Sequence, residues 1–127
     1  MAKVFAVVTD LFFATRIQDT ARALGVPLET ISSGPALLER CRAERPALVL
    51  VDLNATAAQP VETVAQLKAD AVLRSVPVVA YLSHVQVELE RAAREAGCDI
   101  VLPRSKFTQQ LPDLLRRHAG EDETQKN

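Results

Sequence analysis

Leu48-Val49-Leu50-Val51-Asp52-Leu53-Asn54 is the stretch that decides the fold. Four aliphatic residues in a row leave no polar face. The run therefore predicts a strand buried on both sides, as in a parallel sheet held between two helical layers. The same kind of run recurs on either side of it. Val4-Phe5-Ala6-Val7-Val8 lies upstream, with a weaker one over 26–31, and 76–82 and Ile100-Val101-Leu102 lie downstream. Between the runs the apolar spacing changes to that of a helix. Phe13, Ile17, Ala21 and Leu24 form the first stripe, closed by Gly25 as a C-cap. Ser33 predicts an N-cap with Pro35 just inside the second helix, which buries Leu37, Leu38 and Cys41. Val61, Val64, Leu67 and Ala71 make the third stripe. Ser83 with Gln86 three residues on has the form of a capping box, ahead of Leu89, Ala92, Ala93, Ala96 and the closing Gly97. Leu111, Leu114, Leu115 and His118 line the last helix.

Five strand–helix units in so short a chain predict an α/β fold: a flavodoxin-like (βα)5 three-layer sandwich. Its five-stranded parallel sheet takes the order 2-1-3-4-5, because right-handed crossovers leave few other solutions. The 127 residues suffice for one core. The expected domain is 1–118, and 119–127 form a polar tail without periodicity, expected to be disordered. With no Trp, one Tyr and four Phe, the core is expected to be aliphatic.

Fifteen Lys and Arg against sixteen Asp and Glu give a net charge of −1, with both signs mixed along the chain. No basic stripe is present to displace counterions from phosphates, so nucleic acid is not an expected partner. No apolar run approaches the roughly 20 residues of a membrane span. The apolar start is broken by Asp10 and reads as a strand rather than a signal peptide, so a soluble, cytoplasmic protein is expected. Cys41 and Cys98 form neither a disulfide framework nor a metal-ligand pattern.

In the order 2-1-3-4-5 a crevice opens between the carboxyl ends of strands 1 and 3, the usual ligand position in such sheets. Asp10 follows strand 1 and Asp52 ends strand 3. Each alone reads as a cap of a loop or helix. Together they repel, and a shared proton or a hard cation such as Mg²⁺ relieves that. A cofactor enzyme is a poorer reading. No glycine-rich phosphate loop follows strand 1, and Thr9-Asp10-Leu11-Phe12-Phe13 would repel phosphate.

Over residues 3–118 the chain resembles the receiver domain of two-component response regulators. The resemblance is carried by Lys3-Val4-Phe5-Ala6-Val7-Val8-Thr9-Asp10, by Leu48-Val49-Leu50-Val51-Asp52-Leu53-Asn54, and by the spacing to Val76-Pro77-Val78-Val79 and Ala96-Gly97-Cys98-Asp99. It implies Asp52 as phosphoacceptor and Asp10, Asp52 and the Asn54 backbone carbonyl as Mg²⁺ ligands. It also implies Arg104 as a phosphate contact and Ser83 as a displaced switch hydroxyl. A histidine kinase or a downstream signalling protein would dock on helix 4, strand 5 and helix 5, and a homodimer is a further option. Thr9 stands where that family usually has a first acid, Leu82 where the switch Thr or Ser belongs, and Arg104-Ser105 in place of Lys-Pro. Val101 stands where an aromatic is common, and Ala55-Thr56 replace Met-Pro. The expectation is a degenerate, or pseudo-, receiver that acts by docking, binds Mg²⁺ weakly, and is no enzyme beyond phosphorylation and dephosphorylation of its own Asp52. A conventional phosphoacceptor is the alternative. His84 reads as a solvated first-turn residue, Cys98 as a small packed hydrophobe, and Phe12 as lying at the mouth of the crevice.

Overall fold

The computed structural model describes residues 2–84 and 86–120. The chain runs β1 (Val4–Val7), α1 (Leu11–Leu24), β2 (Leu28–Ile31), α2 (Gly34–Ala43), β3 (Leu48–Asp52), α3 (Pro60–Ala69), β4 (Val78–Leu82), α4 (Val87–Ala96), β5 (Ile100–Pro103) and α5 (Arg104–Leu115). A short 3₁₀ turn at Thr56–Ala58 precedes α3, and a π-helical turn at Arg116–Gly120 follows α5. All five strands are parallel in the order β2-β1-β3-β4-β5, as the alternation of runs and stripes predicts. Among the described residues, no helix is long and apolar enough to cross a membrane.

Strand side chains alternate between two cores. Phe5, Val7, Val49, Val51, Val78, Ala80 and Leu82 pack against α2, α3 and α4. Val4, Ala6, Leu48, Leu50, Val79 and Tyr81 pack against α1 and α5. Both faces of the sheet are therefore dry, which is why the central strands read as unbroken aliphatic runs. The caps form as expected at α1 and α2. Gly25 takes the left-handed conformation at φ 72° and ties its N–H to Ala21 and Arg22. Ser33 accepts from the Ala36 N–H, with Pro35 in the first turn.

Four expectations are corrected. The second core is not purely aliphatic: Phe13, Tyr81 and Phe107 form one aromatic cluster, with Tyr81 and Phe107 stacked at 4.4 Å between ring centres. The third stripe ends early, because α3 stops at Ala69 and Asp70 caps a following turn through the Val72 and Leu73 N–H groups. That turn exposes Ala71 and sends Leu73 into the core. Ser83 and Gln86 form no capping box. Helix α4 begins at Val87 with Gln86 at its N-cap position and no side-chain cap bond, so His84 lies in the preceding loop and not in the first turn. Ala119 packs in the α1–α5 core, and residues 121–127, the rest of the expected tail, lie outside the described residues.

Cys41 and Cys98 are free and buried, and burial pushes both thiols up to about 11. Leu50 lies fully buried in the strand at the middle of the sheet. Leu50→Ala is expected to lower unfolding free energy by about 2–5 kcal/mol, read by urea denaturation, because a buried aliphatic group is lost and its cavity cannot fully close.

Candidate functional site

The strand order brings Asp10, Asp52 and Arg104 to one end of the sheet. β1 and β3 are neighbours in register, with Val7 beside Val51, so the residues after both strands flank one crevice. β4 lies next to β3 and places Tyr81 beside Asp52, and β5 ends at Pro103, directly ahead of Arg104.

Asp10 is committed locally. One carboxylate oxygen, Oδ1, caps α1 by accepting from the Phe12 and Phe13 N–H groups at 3.0 and 3.2 Å. Its other oxygen, Oδ2, lies 3.9 Å from Arg104 Nη2. Cap and crevice member, the two readings open from sequence, thus hold together. Asp52 is 3 % exposed, and its Oδ1 accepts from the Asn54 N–H at 2.9 Å in a tight turn. Burial raises its pKa above the ordinary carboxylate value. The Asn54 N–H and Arg104 pull it back in part, and Asp10 adds to the rise.

Arg104 opens α5, and its guanidinium is stacked on rings. Its Cζ lies 4.5 Å from the Phe13 ring centre and 5.9 Å from that of Tyr81. Among the described residues, the buried side-chain polar atoms without a hydrogen-bond partner are Arg104 Nε and Tyr81 Oη. The Tyr81 hydroxyl is pushed to a higher pKa by burial first, and by Asp52 and Asp10 against the opposing pull of Arg104. The aromatic cluster is thus the floor of the charged crevice. Nothing in the periodicity showed this. The signal available was a lone Tyr in an otherwise aliphatic strand.

Asn54 does more than the sequence suggested. Its side-chain oxygen accepts from the Ser83 N–H at 2.7 Å and its amide donates to Gln86 Oε1 at 2.9 Å. The loop after Asp52 is thereby tied to the loop before α4. Ser83 itself is exposed and contributes its backbone to this link. Leu82, directly ahead of Ser83, is buried in the core beneath α2, α3 and α4. Phe12 is 92 % exposed beside the capping Asp10, and Leu11 is 81 % exposed.

The chain has the fold of CheY-like receiver domains, a flavodoxin-type sandwich. It is 24% identical over 104 residues to the polar-differentiation response regulator DivK of Brucella anthropi, covering 82% of this chain and 85% of that one. It superposes on the phosphorylated cyanobacterial phytochrome response regulator RcpA with a TM-score of 0.81 at 20% identity, over 92% of this chain and 93% of that one. The Mn²⁺-bound form of response regulator Rcp1 matches with a TM-score of 0.79 at 17% identity, over 91% and 93% of the two chains. No family profile matches the sequence.

The likeness to receiver domains implies a divalent ion, which here would draw on Asp10, Asp52 and the Asn54 carbonyl. Mg²⁺ demands near-octahedral oxygen ligation. Here one Asp10 oxygen caps a helix and the other faces Arg104, one Asp52 oxygen is held by Asn54, and Thr9 supplies no third carboxylate. Among the described residues no group of three His, Cys, Asp or Glu could hold a metal. The donor set does not fit a tightly held Mg²⁺.

Two consequences are measurable. Because burial raises the Asp52 pKa, its ionisation costs stability as pH rises through the folded-state value. Asp52→Asn keeps the oxygen that accepts from Asn54, so it is expected to raise Tm at neutral pH. The gain should vanish near pH 3, at or below the ordinary carboxylate value, where Asp52 is largely protonated in both states. Tyr81→Phe removes an unpartnered buried hydroxyl while keeping the ring stack. Urea denaturation is expected to show equal or greater stability, by up to about 1 kcal/mol.

Proposed function

We propose that this chain is an atypical receiver-type signalling module, a pseudo-receiver whose output comes from docking to a protein partner. A histidine kinase or a downstream signalling protein would be met through α4, β5 and α5. The observation that carries this reading is Leu82. A two-state switch needs a contact that differs between the states. Where receiver domains have a hydroxyl that can turn toward a phosphoryl group, this chain has a leucine sealed into the core that α2, α3 and α4 cover. Modification of Asp52 would have no such handle on the docking face. The Asn54 link to Ser83 and Gln86 adds to this, because it already holds the two loops together without a phosphoryl group.

On this reading the receiver-type domain runs through Ala119, which packs in the α1–α5 core, works in the cytoplasm, and binds Mg²⁺ at most weakly. The solvated face of α4, with the Glu90–Arg94 ion pair at 2.9 Å, supplies polar contacts for a partner. The second reading keeps Asp52 as a working phosphoacceptor with Arg104 as the phosphate contact, and it is favoured by the retained, buried carboxylate.

Amide NMR spectra in millimolar Mg²⁺, with and without beryllofluoride as a stand-in for the phosphoryl group, separate the two. For wild type against Asp52→Asn, the expected result is no saturable change beyond the crevice. Asp52-dependent shifts reaching α4 and β5, or a tenfold change in a partner's affinity on phosphorylation, would overturn the docking reading in favour of the switch.

A further inference from the structure

We propose that Arg104 is the resident cation of the crevice, its guanidinium taking the charge-balancing place of a divalent ion between Asp10 and Asp52. The inference deepens the receiver-type reading of this site and rests on it. Four observations carry it. Arg104 Nη2 faces Asp10 Oδ2 at 3.9 Å, and the guanidinium lies over the ring of Tyr81, the residue paired beside Asp52, so one cation stands by both acids. The head group is held by stacking over Phe13 and Tyr81, which a flexible ammonium with its compact hydration shell would do less well. Its Nε is buried without a partner, so it is not held there by a competing hydrogen bond. Asp10, the acid that would turn to a metal, has its second oxygen fixed in the α1 cap.

The consequence is an exchange of cations. Two carboxylates with one guanidinium among them carry one net negative charge, against two when Arg104 is neutralised. A dication placed beside the guanidinium would meet its repulsion at close range. Removing the charge of Arg104 should therefore open the crevice to the ion that the native site rejects.

The test is titration with Mn²⁺ and Mg²⁺, read by paramagnetic broadening of the Thr9 and Asn54 amides and by calorimetry. Wild type is expected to show no saturable binding up to about 10 mM. Arg104→Gln is expected to bind at least tenfold more tightly, and Asp10→Asn in that background to abolish the gain. Saturable binding by wild type anywhere below about 10 mM overturns the proposal. So does a folded Arg104→Gln variant that binds no better than wild type. Should Arg104→Gln fail to fold, the Arg104 Nε–H resonance of the wild-type protein decides. It is expected to stay in place on addition of Mg²⁺ and to move in Asp10→Asn, and the opposite pattern overturns the assignment. Metal binding by wild type would sink the resident cation and leave docking standing, whereas the docking reading falls if Asp52-dependent shifts reach α4 and β5 or if phosphorylation changes a partner's affinity tenfold.

Discussion

The central strands β1, β3 and β4 are buried from both sides, since α1 and α5 cover one face of the sheet and α2, α3 and α4 the other. This double covering constrains everything else. It demands apolar residues at every position of β3 up to its last, so the first polar side chain the strand can tolerate is Asp52, at its carboxyl edge. It also places the reversal of strand order between β1 and β3, and hence a crevice, where Asp10 and Asp52 emerge. The charged site exists because the sheet ends there. Burial in turn disfavours the ionised form of Asp52 and creates the demand for a nearby cation.

That demand is met from α5. Arg104 leaves the end of β5 and lies across the Phe13 and Tyr81 rings, with Phe107 stacked beneath Tyr81. The aromatic cluster joins packing to electrostatics, since the same rings that fill the α1–α5 core hold the guanidinium toward Asp10. On the far side of Asp52, Asn54 ties its loop to the approach to α4. The surroundings of Asp52 are thus held by hydrogen bonds and stacking that need no added ligand.

Much of this was legible as pattern. Phe13, Ile17 and Ala21 are buried together on α1 because helical spacing places them on one face, and the Asp10–Asp52 pairing follows once the strand order is inferred. The misreadings share one cause. Ala71 continues the spacing of α3, yet Asp70 captures two backbone N–H groups and turns the chain, a local competition that periodicity does not weigh. Ser83 and Gln86 match the spacing of a capping box, but the Ser83 N–H and the Gln86 side chain are taken by Asn54, more than twenty-five residues earlier in the chain.

By itself the sequence determined the three-layer α/β class, the strand order and the presence of two acids at the switch point. Those depend on hydrophobic period and connection handedness, which act over neighbouring residues and small numbers of topologies. Only the tertiary structure decided what the acids face. The stacking of Arg104 on Phe13 and Tyr81 and the link from Asn54 to Ser83 and Gln86 join residues from separate elements, and their distances depend on how the elements pack. Interactions set by packing leave no spacing in the chain from which to read them.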